Sequence, residues 1–156
     1  MTNWNMGLFF FACLWACASA PERSVELEPY EVANWFTTWE GDQPDYPLVN
    51  ADGDVVVIQG KEAKVSGSHF QFALQAQGTV QMLQTHEDGR RAEFTGTWKG
   101  QLSPATGALQ AVVCDLAAVS TGAYRQYALM ADSIHREVRC YGTSKEPSFA
   151  VAAVSP

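Results

Sequence analysis

Charge is missing from the start of this 156-residue chain: no Asp, Glu, Lys or Arg precedes Glu22. Positive charge is scarce throughout, with 10 Lys and Arg against 17 Asp and Glu, a formal net charge of −7. That balance argues against nucleic-acid binding, which needs a basic face, and against direct adhesion to anionic lipid. Histidine is rare as well. His69, His86 and His135 lie outside helical ligand spacing, and no Cys-X-X-Cys accompanies them, so no metal site and no cofactor is expected. Gly-X-Ser-X-Gly does not occur. Ser68 adjoins His69, but neighbours on a strand point to opposite faces, which forbids a direct relay. With no catalytic motif, the chain is expected to be non-enzymatic. No Asn-X-Ser/Thr sequon and no repeat of fixed period occurs.

A long apolar run is lacking too. The strongly apolar stretch, about Met6 to Ala18, falls short of the roughly 20 residues that span a bilayer as a helix. Its length suits the short helix of a secretory signal. Two exits from it are legible. Ala18-Ser19-Ala20 has small residues at the spacing of an ordinary signal-peptidase site, which would cleave after Ala20. Leu14-Trp15-Ala16-Cys17 resembles the bacterial lipoprotein signal, the lipobox. That resemblance implies lipidation of Cys17 and a lipid anchor in a bacterial envelope membrane. The expected division is then a signal over 1–17 (or 1–20), a flexible tether over 18–29 and a single β domain over 30–156. An uncleaved anchor is the third alternative.

Of the four cysteines, Cys13, Cys17, Cys114 and Cys140, export removes or consumes the first two. The remaining pair suits one Cys114–Cys140 disulfide in an oxidising compartment, worth roughly 3 kcal/mol. Two buried free thiols are the alternative.

The rest of the chain is dominated by strands. His69 to Ala76 alternates, with Phe70, Phe72 and Leu74 on one face. Thr79 to His86 follows, with Val80 and Met82 inward. Glu87-Asp88-Gly89-Arg90 is a hairpin signal, and Arg91 to Lys99 returns with Phe94 and Trp98 inward. Gly96 between them suggests a bulge or bend. Gly96-Thr97-Trp98 looks like the Gly-X-Trp of lipocalins, but on a middle strand rather than the first; it is read as a core Trp beside a strand glycine. Further strands are expected over Leu109–Val119, Tyr124–Met130, Glu137–Tyr141 and Phe149–Val154. Glu31 to Trp39 fits a short helix or a strand, in contact with the core either way. Glu40 to Asp54 reads as a loop and Val55 to Ile58 as a short buried strand. The fold class is therefore all-β: an antiparallel meander of about eight strands closing into a small barrel or sandwich.

Three surfaces remain as candidates. Phe70, Phe72 and Trp98 could line an apolar ligand cavity. Gln71, Gln75, Gln81, Gln84, Thr95 and Thr97 form an uncharged strip, read as the wet face of a sheet. Asn50, Asp52 and Asp54 offer oxygens for Ca²⁺ but fit a solvated turn better. Together these features predict an exported lipoprotein that binds a protein or an envelope component, or else a secreted barrel that holds an apolar ligand.

Overall fold

The computed structural model describes residues 34–154. The expected signal helix, the expected lipidation at Cys17, the expected cleavage after Ala20 and the expected tether lie outside the described residues. Twelve strands follow in order: β1 (Thr38–Gln43), β2 (Tyr46–Pro47), β3 (Val57–Ile58), β4 (Lys61–Glu62), β5 (Lys64–Val65), β6 (Ser68–Leu74), β7 (Thr79–His86), β8 (Arg91–Leu102), β9 (Leu109–Ala118), β10 (Tyr124–Asp132), β11 (Glu137–Tyr141) and β12 (Phe149–Ala153). Eight of them close an antiparallel barrel in the order β1-β12-β11-β10-β9-β8-β7-β6. The expected meander is thus a barrel rather than a sandwich.

From β6 to β12 every strand pairs with the next in sequence. The connections carry glycines with positive φ, Gly78 (88°), Gly89 (82°), Gly107 (70°) and Gly122 (70°), a conformation other residues adopt only with strain. Closure falls to β1. It pairs along its length with β6, Thr38 opposite Ala73 through Gln43 opposite Ser68, and on its other side with β12 at Trp39 and Glu40. No barrel edge is left to template pairing with another chain. The seam needs Gly41, because a Cβ there would lie 2.2 Å from the Ala150 carbonyl oxygen.

The inward rows fill the barrel. β6 alternates buried and half-buried along its whole length. The Phe70 ring lies 6.1 Å from Phe72, 5.6 Å from Tyr127 and 5.1 Å from Phe149. Leu116, Leu129, Val112 and Val80 complete a continuous core. Each large side chain so buried contributes about 1.5–3 kcal/mol.

Several expectations need correction. Residues Thr38 to Gln43 are strand, so the expected loop begins only after Gln43. Trp35 and Trp39 are buried while Phe36 is exposed. Val57 and Ile58 form an exposed hairpin with β4, each 59% exposed, instead of a buried strand. Gly96 marks no bulge: the register runs through it unbroken, and the irregularity lies at Gln101/Leu102. A Cβ at Gly96 would stand 1.9 Å from the Asp115 carbonyl oxygen, so this glycine permits close strand approach. Gln84 shares the inward row of Val80 and Met82 and leaves the outward strip.

The disulfide is also overturned. Cys114 and Cys140 are free and fully buried. Cys114 pairs with Tyr127 of β10, and Cys140 pairs with Leu129 of the same strand. The thiols therefore sit on strands separated by β10 and offset along it. With strands spaced about 4.8 Å apart, their Cα atoms are roughly 9 Å or more apart. A disulfide bridges at most about 7 Å. An even cysteine count says nothing of this intervening strand.

Candidate functional site at the open end of the barrel

The barrel treats its two ends differently. At one end, hereafter the closed end, lie the turns 75–78, 103–108 and 133–136. Trp35 and Trp39 are buried there with ring centroids 5.6 Å apart. Trp35 Nε1 donates to the Leu109 carbonyl (3.1 Å), and Trp39 Nε1 donates to the Trp35 carbonyl (3.2 Å). Both indoles bury an apolar body and satisfy their single donor.

At the opposite, open end lie the connections 44–67, 87–90, 119–123 and 142–148. The inward rows there end in polar residues, because β6 continues its inward face to Ser68, β7 to Gln84 and His86, and β10 to Arg125. Ser68 and His86 are cross-strand partners. The Ser68 Oγ lies 3.1 Å from His86 Nδ1 and accepts from Gln84 Nε2 at 3.1 Å. A cleft of about 320 Å³ opens beside them, lined also by Asp42, Asp45 and Glu87. Ser68 and His69 do face opposite ways: His69 Nδ1 meets Asp42 Oδ1 at 2.8 Å on the outer face.

The Ser68–His86 pair has two parts of a nucleophilic relay. The third part is not in place, since no carboxylate hydrogen-bonds the His86 ring among the described residues. The Gly67 N–H, the nearest backbone donor in sequence, is taken by Asp45 Oδ1 at 2.7 Å. Gln84, Ser68 and His86 thus form a hydrogen-bond chain across the barrel rim.

A second cleft, of about 200 Å³, opens on the other side of the same mouth, with Tyr46, Arg125, Thr143 and Glu146 among its walls. Glu146 Oε2 is buried and has no hydrogen-bond partner. Leaving a buried charged acceptor unpaired costs more than the 1–3 kcal/mol of a neutral group. Burial raises the Tyr46 phenol, with the Glu146 charge adding to it. Burial raises Tyr127 further, again with Glu146 second. Both phenols stay protonated around neutral pH and bring dipoles to the site, not charge.

The segment 44–67 arches over this mouth. Its tip, Gln59-Gly60, has positive φ at both residues (51° and 76°), the arrangement of a type I′ turn, which favours Asn-Gly. The hairpin β3–β4 presents Val57 and Ile58 to solvent, with Leu48 and Val55 each 40% exposed. Lys145 Nζ ties the segment down by donating to the Asn50 carbonyl at 2.8 Å. Asn50 Oδ1 accepts from the Asp52 and Asp54 N–H groups and so closes the turn. Among the described residues no cluster of His, Cys, Asp or Glu is arranged to hold a metal ion.

The sequence-derived site residues are not brought together. Phe70 and Phe72 pack in the core, whereas Trp98 is half-buried near the closed end, its ring tilted against Phe36 with centroids 5.5 Å apart, and donates to the Gln75 carbonyl. Cys114 and Cys140 lie mid-barrel. Of the outward strip, Gln71, Gln81 and Thr95 line a groove of about 440 Å³ with Leu83. The open-end residues Ser68–His86, Arg125 and Glu146 escaped the sequence reading. Running the β6–β7 register back from the Gln77-Gly78 turn would have paired Ser68 with His86; nothing local marks Glu146. No helix among the described residues is long and apolar enough to cross a membrane. Comparison with models of known protein families, with characterised proteins and with solved structures finds no match.

Proposed function

We propose that this protein is an exported, non-enzymatic binding module, lipid-anchored at Cys17 in a bacterial envelope, whose open barrel end meets a protein partner through the 44–67 segment. The observation that carries this reading is the exposed β3–β4 hairpin. Adjacent large aliphatic residues at the tip of a two-stranded ribbon gain nothing for the fold, and such a ribbon is marginal by itself. A non-glycine residue at positive φ adds strain at the same tip. Exposed apolar groups rimmed by polar ones mark interaction surfaces. The segment carries Asp45, Asp52, Asp54 and Glu62 against Lys61 and Lys64, so the partner surface is apolar with a basic rim.

The entry of the chain supports the same arrangement. Among the described residues the chain enters the barrel at the closed end, where β1 begins at Thr38, opposite the end that carries the 44–67 segment.

A photo-crosslinking residue at position 58, expressed in the producing bacterium, tests this. The expected result is one discrete protein adduct that is lost when Val57→Ser is added and is not formed from position 97 on the opposite face. Equal labelling from both positions, or none, overturns the reading. Mass spectrometry of the mature N-terminus tests the anchor: an acylated Cys17 is expected, and an N-terminal Pro21 would remove the lipid from the proposal.

A further inference from the structure

The cleft beside Ser68 carries a second, independent inference. Gln43, Ser68 and His86 end the inward rows of three adjacent strands: Gln43 is the register partner of Ser68, and Ser68 that of His86. Partners across antiparallel strands have Cβ atoms about 5 Å apart, so the three side chains lie within reach of one small molecule. All three line the cleft of about 320 Å³. Gln43 is only 6% exposed. Its side-chain amide makes no hydrogen bond among the described residues, yet neither of its polar atoms is sealed from water. What access the residue keeps therefore reaches the amide, on the cleft. Burying an amide this deeply with no partner is unfavourable, and native folds rarely leave one so.

Donors and acceptors decide what fits. Gln84 Nε2 donates to Ser68 Oγ, and one proton lies between Ser68 Oγ and His86 Nδ1. If that proton belongs to Ser68, the imidazole carries its own on Nε2. If it belongs to His86, the Ser68 hydroxyl proton is left over. In either tautomer the neutral pair keeps one spare donor. Gln43 adds a donor and an acceptor, and Asp42, Asp45 and Glu87 add acceptors at the lip. An anion would meet those three carboxylates, and no Lys or Arg lines the cleft among the described residues. A cation carries donors alone and would turn them against the Gln43 N–H and the spare donor of the Ser68–His86 pair. A hydroxyl both gives and accepts. Neighbouring hydroxyls therefore suit a row whose requirement changes from one strand to the next.

We infer that this cleft binds the ring of a neutral sugar through its vicinal hydroxyls. One hydroxyl pair meets the Gln43 amide, a further hydroxyl accepts from the Ser68–His86 pair, and the lip carboxylates accept from the outer ones. The volume lies at the bottom of the range for ligand sites and limits the occupant to about one ring. The inference rests on neither the lipid anchor nor the β3–β4 hairpin.

Titrating the full purified protein with the methyl glycosides of glucose, galactose, mannose and N-acetylglucosamine, followed by amide shifts in two-dimensional NMR, tests it. At least one should give saturable shifts at Gln43, Gly67, Ser68 and His86 by about 50 mM, the millimolar regime of a small solvent-open site. Agmatine as a cation, acetate as an anion, and N-acetylalanine methylamide, which has amide donors and acceptors but no hydroxyl, should each bind at least about tenfold more weakly. Gln43→Leu should weaken the glycoside by about tenfold or more while leaving the melting temperature unchanged or higher, because the amide it removes has no partner in the fold. His86→Ala, at a strand end and half-buried, is the second variant and should weaken binding about as much. Val57→Ser should leave it unchanged, which separates this site from the proposed protein interface. No saturable shift with any of the four glycosides, full binding by both cleft variants, or a tighter response to agmatine, acetate or the diamide would each overturn the sugar assignment.

Discussion

The two ends of one barrel solve the same problem in opposite ways. Eight strands that stop must expose their last inward residues to water. At the closed end Trp35 and Trp39, each 4% exposed, cover the core and donate their N–H groups to carbonyls. At the open end the inward rows finish instead on Ser68, Gln84, His86 and Arg125, and Glu146 keeps a buried oxygen unpaired. One end is built for stability. The other retains an unsatisfied carboxylate oxygen and an exposed apolar hairpin that stability alone would remove, and local inconsistency of that kind concentrates at working surfaces.

Substitution on each side should break that symmetry most visibly. Trp35→Ala removes a buried indole, its ring contact with Trp39 and its hydrogen bond to Leu109. Urea unfolding should show a loss of about 3–5 kcal/mol. Val57→Ser together with Ile58→Ser, changing side chains that are already exposed, should shift stability by no more than about 0.5 kcal/mol. If the hairpin pair unfolds the domain as Trp35→Ala does, the open end is structural and the contrast disappears.

The contrast also explains which parts of the molecule were legible in the residues. Hairpins were, because Asp88-Gly89 and Thr121-Gly122 mark turns locally and Phe70, Phe72 and Leu74 mark a face locally. Period two says which side a residue faces and leaves open which strand lies beside it. Closure by β1 between β6 and β12, the Ser68–His86 pairing and the strand between Cys114 and Cys140 are all facts of neighbourhood. The open end is assembled from four connections far apart in the chain, so nothing near Glu146 announces Arg125. The closed end was half legible: Trp35 and Trp39 read as core-facing, but on a helix or a strand alike. Val55 to Ile58 misled for a related reason, since four consecutive aliphatics suit burial or a binding edge equally.

A smaller effect separates the ends by pH. In the closed-end turn, Asp132 Oδ1 accepts from the Ile134 and His135 N–H groups, and Oδ2 meets His135 Nδ1 at 2.7 Å. The His135 side-chain hydrogen bond, followed by its backbone N–H, lowers the Asp132 carboxyl to about 2 from 3.8. A depressed carboxyl contributes stability above its unfolded value and loses it as pH falls through the folded one. The contribution should therefore be whole above about pH 4 and gone near pH 2. Solvent screening keeps it small. Urea midpoints measured from pH 5 to pH 2 should fall more steeply for the native chain than for Asp132→Asn, and superimposable curves would dismiss the turn as an acid-sensitive element.

Midway between the ends, the expected effect is none at all. Burial pushes the Cys114 thiol up to about 12, with the Asp115 charge adding to it. Burial, then the neighbouring Cys114, raises Cys140 well above its ordinary value. Protonated and enclosed thiols are poor nucleophiles. Iodoacetamide should leave both unlabelled in the folded domain and alkylate both in urea. Adding dithiothreitol should leave the melting temperature where it was, because there is no bond to reduce. A melting temperature that falls on reduction would require the two sulfurs to be joined across β10. That strand pairs with β9 from Tyr124 to Met130 and with β11 from Ala128 to Asp132, so joining them means taking it out of the sheet. The barrel would then open between its ends, and neither the Trp-covered floor nor the polar mouth would survive as described.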